Sequence, residues 1–293
     1  MNKTLLLVGG TGFIGRELGK YLHAAGYSLR LLVRSEISEE SLRFPARLYR
    51  WHAAMPVPAA AMTGLTAAIN LAGAPIAARR WTAKQKQLII ASRVLTTRAL
   101  VAASPPLLIQ ASASGFYGDT GAAAADEKQA AGSGFLADTA KAWEAEAQGA
   151  KQVAIMRFGM VLGKGGGAFP QLARIYRCGL GAVIGTGKQY VSWIHVEDVC
   201  AYVLRCLQDR TMRGVYNLVA PQALTYREFH QAFARHAPFA LPLPAVPAVV
   251  LRLFWGDKSE LLLASQHLTP ARLLASGFKY RYPDLNSALK NLL

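Results

Sequence analysis

Thr4-Leu5-Leu6-Leu7-Val8, Gly9-Gly10-Thr11-Gly12-Phe13-Ile14-Gly15, Arg16-Glu17-Leu18-Gly19-Lys20-Tyr21-Leu22: read in order, these are a short apolar strand, a glycine-rich turn and an amphipathic helix. Such a turn lets backbone N–H groups approach a pyrophosphate, and the helix N-terminus that follows presents a favourable dipole. The glycines at 9, 12 and 15 give a G-x-x-G-x-x-G spacing, not the more common G-x-G-x-x-G. Its position between strand and helix predicts a dinucleotide-binding turn over Gly9, Gly10, Thr11, Gly12, Phe13, Ile14 and Gly15.

Outward from that turn, strand and helix patterns alternate. Strands are expected at Thr4–Val8, Ser28–Val33, Arg47–Trp51, Ala67–Leu71, Leu107–Ala111 and Val153–Arg157. Helices are expected at Phe13–Ala25, Thr82–Ala103 and Phe135–Gln148. The alternation predicts an α/β fold, a Rossmann-type doubly wound parallel sheet with right-handed crossovers. After Gly163 the pattern changes. Lys164–Gly167 reads as a flexible connector and Phe169–Cys178 as a helix. Strands at Tyr190–Ile194 and Gly214–Val219 flank a helix over Val196–Gln208, and prolines then separate short helices. The predicted organisation is a dinucleotide domain over residues 1–163, rejoined by 189–220. Residues 164–188 and 221–293 form a smaller C-terminal α/β cap over the substrate.

At 293 residues, 52% of them apolar, the chain can bury a large core. Three cysteines in no C-x-x-C pattern point to neither a disulfide framework nor a metal site, and fit a reducing, cytoplasmic setting. The net charge of +16 attracts anions. Its lysines and arginines are scattered, however, and carry no nucleic-acid-binding signature, so no nucleic-acid partner is expected. The uncharged stretch Ala59–Ala78 is broken by Asn70, glycine and proline, so neither a membrane segment nor a membrane partner is expected. The sequence does not set the oligomeric state.

In such folds a residue about twenty positions past the glycines meets the adenosine ribose: acidic for NAD, basic for NADP. Nineteen residues past Gly15 stands Arg34, followed by Ser35, a possible hydroxyl donor. A guanidinium fork suits a phosphate, so NADP is the expected cofactor, with Glu36 turned away. The alternative for Arg34 is a solvated surface arginine.

Several segments resemble the extended short-chain dehydrogenase/reductase superfamily, the NAD-dependent epimerase/dehydratase group. They are the turn itself, Asn70-Leu71-Ala72-Gly73, Gly115-Phe116-Tyr117-Gly118, and Gly185-Thr186-Gly187-Lys188-Gln189 leading to Trp193-Ile194-His195-Val196-Glu197-Asp198. Ala72–Ile76, Arg80-Trp81-Thr82, Ser92-Arg93, Trp143-Glu144 and Arg157-x-Gly159-x-Val161-Leu162-Gly163 resemble one branch of that group, the uncharacterised "epimerase family". The resemblance implies that the dinucleotide also meets Leu71, Ala72, Gly73, Arg93 and Val161. From the residues alone, Arg93 could equally be a structural salt bridge.

The superfamily's chemistry normally uses Tyr and Lys four apart on a helix, beside a Ser or Thr. Here Phe135–Lys141 contains no tyrosine, and the residue four before Lys141 is Ala137. Ser112 or Ser114 can bond a substrate oxygen, and Tyr117 is the one nearby phenol, catalytic or structural. Asp138 and Lys141 read as a surface ion pair, and His195 as a helix cap. Where sugar-nucleotide epimerases carry an arginine and an aspartate, Val191 and Ser192 stand, which disfavours a nucleotide-sugar substrate. The implied function is an NADP(H)-binding oxidoreductase acting on a small carbonyl or alcohol. An epimerase, or a non-catalytic NADP(H)-binding sensor or partner protein, are the alternatives.

Overall fold

The structure, a computed structural model, describes residues 3–38, 42–239 and 241–293. Six strands open the chain's main sheet: β1 (Thr4–Val8), β2 (Ser28–Val33), β3 (Arg47–Arg50), β4 (Ala67–Asn70), β5 (Leu108–Ala113) and β6 (Val153–Phe158). The helices among them are α1 (Phe13–Ala24), α2 (Ala59–Met62), α3 (Ala83–Ala102) and α4 (Phe135–Ala147). Then come β7 (Met160–Gly163), β8 (Gly166–Gly167), α5 (Phe169–Arg177), β9 (Trp193–His195), α6 (Val196–Gln208) and β10 (Gly214–Leu218). The chain closes with α7 (Tyr226–Arg235), α8 (Ala248–Trp255), α9 (Glu260–Leu263), α10 (Ala271–Ala275) and α11 (Leu285–Leu292).

The main sheet has the order β10-β6-β5-β4-β1-β2-β3, and every neighbouring pair is parallel. Alternate side chains of one strand feed opposite faces. Leu5 and Leu7 enter the core beneath α1 and α6, while Leu6 and Val8 enter the core beneath α2, α3 and α4. Burial on both faces explains why β1 is an unbroken apolar run and not an alternating one. Strand order reverses between β1 and β4, and all strands point their carboxyl ends to one edge. That edge is where ligands bind in open parallel sheets.

A second apolar core lies beside the first. Phe169 and Tyr176 of α5, Phe229 and Phe233 of α7, Leu285 and Leu289 of α11, and Trp193 of β9 fill it. A small sheet ordered β8-β7-β9 joins this part to the end of β6.

Two expectations are corrected here. The strand expected at Tyr190–Ile194 begins at Trp193, because the Val191 N–H is drawn to the Leu224 carbonyl at 2.8 Å. It pairs parallel with β7 in the small sheet, outside the main one. The expected flexible connector Lys164–Gly167 is a tight hairpin instead, β8 folding antiparallel onto β7. Its glycines are required by packing. A Cβ on Gly163 or Gly166 would stand 2.6 or 2.8 Å from Phe13, and Gly167 has φ of +70°.

Candidate functional site

The turn after β1 closes on itself, with the Gly12 N–H donating to the Gly9 carbonyl at 3.1 Å. Gly9 has φ of +82° and lies against the end of β4: a Cβ there would stand 2.8 Å from the Leu71 carbonyl carbon. A Cβ on Gly10 would meet Leu31 at 2.8 Å, and one on Gly15 would overlap the Gly9 carbonyl oxygen. These three glycines are demanded by the protein's own packing. Gly12 differs. Its φ is −76°, open to any residue, and its nearest protein neighbour would be 3.4 Å away. Among the described residues nothing requires glycine at 12, which faces solvent at the N-cap of α1. No side chain caps that helix.

Thr11, Phe13 and Ile14 complete the turn, with Phe13 turned to the β7–β8 hairpin. Arg34 and Ser35 follow directly on β2 and are exposed, and Arg34 has no ion pair among the described residues. Glu36 faces Arg50 at 4.0 Å. Leu71, Ala72 and Gly73 follow directly on β4. Their path is set by the buried Asn70, whose Oδ1 accepts from the Ala72 N–H at 3.1 Å and whose Nδ2 donates to Thr97 and Gln110. Val161 sits half-buried in β7.

Among the described residues the salt bridge considered for Arg93 is not formed. Its guanidinium donates to the carbonyls of Ala74 at 3.1 Å and Ile89 at 3.0 Å, and lies over the Trp143 ring. It also lies where a Gly73 Cβ would be, with Cζ at 2.8 Å from that position. Burial pushes its pKa down to about 10. The result is a cation at the end of β4, not neutralised by a carboxylate among the described residues, with a glycine leaving room for it.

The expected proton donors are arranged differently. β5 extends past Ala111 to Ala113, so Ser112 is a strand residue whose register partner is Arg157. Its Oγ donates to Glu144 Oε1 at 2.6 Å in a buried site. Tyr117 donates to Asn217 Oδ1 at 2.7 Å and accepts from Arg157 at 2.8 Å. Burial raises the Tyr117 pKa against the opposing pull of Arg157. Both hydroxyl protons are thus committed to internal partners. Ser114 donates to Gln266 Oε1 at 2.5 Å.

The helix expected to carry the dyad presents Asp138 and Lys141 as an exposed ion pair at 2.6 Å, and buries Ala137 completely. His195 caps α6, its Nδ1 accepting from the Glu197 N–H at 3.2 Å. Ser192 donates to the Gln266 carbonyl at 2.7 Å, and half-buried Val191 packs into the second core.

A cavity of about 390 Å³ opens beside Tyr117, between the Gly132-Ser133 turn that leads into α4 and the segment from Arg252 to Ala264. Asp119, Asp257 and Glu260 bring carboxylates to it and Arg252 a cation. Asp257 is tied to Lys86 of α3 at 2.7 Å, which links the C-terminal segment to the main sheet's helices. Sequence reasoning missed these residues, since no spacing in the chain joins 119 to 252–264. Glu144 and Arg157 were visible as motif members, but not as one buried pair.

A parallel sheet carrying a glycine turn of this shape at its switch point defines a nucleotide-binding α/β protein of the Rossmann class. Residues 5–218 match the sequence model of the NAD dependent epimerase/dehydratase family, and the chain belongs to that family. Residues 246–292 match a domain of unknown function. Epimerase family protein SDR39U1 of Homo sapiens is 34% identical over 99% of both chains. YfhF of Bacillus subtilis is 34% identical over 99% of this chain and 97% of its own. A crystal structure of human SDR39U1 with NADPH superposes with a TM-score of 0.88, at 31% identity, over 99% of this chain and 98% of that one. Among the described residues no helix is long and apolar enough to cross a membrane.

Proposed function

We propose that this protein binds NADP(H) along the carboxyl edge of its sheet and uses it in oxidoreductase chemistry on a small carbonyl or alcohol. The observation that carries the binding is Gly12, a glycine the protein's own packing does not need, at an uncapped helix N-terminus. A pyrophosphate lying there explains why a side chain is excluded. Arg34 and Ser35 would hold the ribose 2′-phosphate, and Arg93 would face the phosphates or nicotinamide ribose beside Leu71–Gly73, with Val161 flanking. The crystal structure of human SDR39U1 with NADPH supports the same choice of cofactor. When bound, the cofactor would supply or accept hydride. The cavity beside Tyr117 would take the substrate.

A second reading, a non-catalytic NADP(H)-binding sensor, is favoured by one specific observation. Ser112 and Tyr117 both spend their protons on internal partners, and α4 has no tyrosine. All three cysteines are free, which fits the cytoplasmic placement we propose.

The test is a fluorescence titration with NADPH and NADH, followed by NADPH consumption against a panel of aldehydes and ketones. Tight NADPH binding with turnover supports the oxidoreductase. Tight binding without turnover of any carbonyl supports the sensor. No binding of either dinucleotide overturns both.

A further inference from the structure

Of the fifteen large apolar side chains exposed among the described residues, ten fall within 175–180 and 239–255. The two stretches are joined along 179–185 and 239–246. The segment 239–246 runs alongside 179–185, with the Leu241 N–H donating to the Gly179 carbonyl at 3.2 Å and the Val246 N–H to the Val183 carbonyl at 2.8 Å. Helix α8 follows directly after Pro247. Its sequence, AVVLRLFW, is apolar nearly all round, yet none of its residues is buried. Val249, Leu253 and Phe254 are 68, 75 and 70% exposed. A helix of that composition is ordinarily buried in a core or partnered.

The chain around these side chains is rich in arginine and poor in carboxylates. The sequence contains no Asp or Glu from 147 to 196, nor from 229 to 256. Arg174, Arg177, Arg235 and Arg252 lie within those stretches, and all four are exposed. The carboxylates next along the chain, Asp257 and Glu260, belong to the cavity, where Asp257 is paired with Lys86.

We propose that this face is a docking surface for an anionic phospholipid bilayer. Helix α8 lies in the plane of the interface, with Val249, Leu253 and Phe254 entering the acyl boundary. Arg174 and Arg177 sit among the headgroups. Protruding apolar side chains with exposed arginines nearby in the chain are the chemistry of an interfacial anchor, since basic residues are drawn to an anionic bilayer surface. Trp255, 40% exposed at the end of α8, fits the headgroup level where tryptophan concentrates. A second copy is a poorer occupant. Pairing this face with itself would set arginine against arginine with no carboxylate to neutralise either, at a desolvation cost for each. This departs from the expectation of no membrane partner, which rested on the lack of a spanning stretch; eight residues lying in the interface need no such stretch.

The experiment is co-sedimentation of the full chain with vesicles of phosphatidylcholine alone, or of phosphatidylcholine mixed with phosphatidylglycerol, with tryptophan emission recorded. Trp255 is the exposed tryptophan. Trp51, Trp81, Trp143 and Trp193 are at most 9% exposed, so a blue shift on binding reports α8. Binding is expected to the anionic vesicles, with a blue shift, and to weaken in high salt. Because Leu253 and Phe254 support no core, L253D/F254D should keep its thermal melt and bind at least about tenfold more weakly. R174E/R177E should lose the preference for anionic vesicles. Failure of the unmodified chain to sediment with anionic vesicles overturns the proposal, as does undiminished binding by L253D/F254D. Equal binding to both vesicle types overturns the role of the arginines. Concentration-dependent self-association that L253D/F254D abolishes, without vesicle binding, would assign the face to a second copy instead.

Discussion

Glu144 on α4 grips Arg157 on β6 with both carboxylate oxygens, at 2.8 and 2.7 Å, and the two side chains are only 8% and 5% exposed. Around this pair gather Ser112, Tyr117 and the Phe116 ring, over which the guanidinium lies at 3.4 Å. Burial alone would lower the Arg157 pKa, but Glu144 and Tyr117 overcome it and the net shift is upward. The arginine therefore stays charged, and the cluster pins α4 and the turn after β5 to the sheet.

Removing one partner of a buried pair strands the other's charge, so Glu144→Ala should cost about 3–5 kcal/mol of stability. Tyr117→Phe leaves Asn217 Oδ1 and one Arg157 donor unsatisfied and should cost about 1–3 kcal/mol. Urea denaturation measures both. If Glu144→Ala melts like the unmodified protein, the pair does not stabilise the fold.

The glycine turn separates two kinds of requirement. Gly12→Val should fold normally and lose dinucleotide binding, because its side chain would point only into the groove. Gly15→Val should lose stability outright, because its Cβ would overlap the Gly9 carbonyl oxygen. Thermal melts alongside NADPH titration distinguish them. Full NADPH affinity in Gly12→Val would remove the groove as the binding site.

Cofactor choice should rest on Arg34. A charge-assisted contact to the 2′-phosphate is worth about 1–3 kcal/mol, so Arg34→Ala should weaken NADPH about tenfold or more and leave NADH nearly unchanged. An unaltered NADPH/NADH ratio would return Arg34 to the solvated surface.

Acid should expose His195. It is 1% exposed, and burial pushes its pKa down to about 4, from an ordinary value near 6.5. Below about pH 6.5 the unfolded chain binds this proton and the folded one does not, so stability is full above that pH. It falls as the pH drops towards about 4. The buried Asp198, whose pKa burial raises, works in the opposite direction. The comparison should therefore be made against His195→Asn, which keeps a short cap acceptor for α6. A parallel loss of stability in both proteins between pH 6.5 and 4 would contradict this.

Local chemistry made much of this protein legible in its sequence. The run Thr4–Val8, the glycine turn and the helix after it decide the parallel sheet, because a strand buried on both faces and a turn crowded by backbone leave few alternatives. Arg34 could be placed at the end of β2 by counting, since an extended strand fixes where its last residue lies. The Asp138–Lys141 pair and the His195 cap were readable because they involve neighbours within one helical turn. Tertiary structure decided the rest, where partners are far apart in sequence. Ser112 reads as free to bond a substrate and Tyr117 as catalytic or structural, but Glu144, Arg157 and Asn217, 32 to 100 residues away, hold their hydroxyls. The glycines at 165–167 read as flexible, yet Phe13 occupies the space beside them. The cavity between Tyr117 and Glu260 exists only because the C-terminal segment folds back over the β5 turn. Propensity and spacing act within a few residues; hydrogen-bond satisfaction and packing act between whichever surfaces the fold brings together.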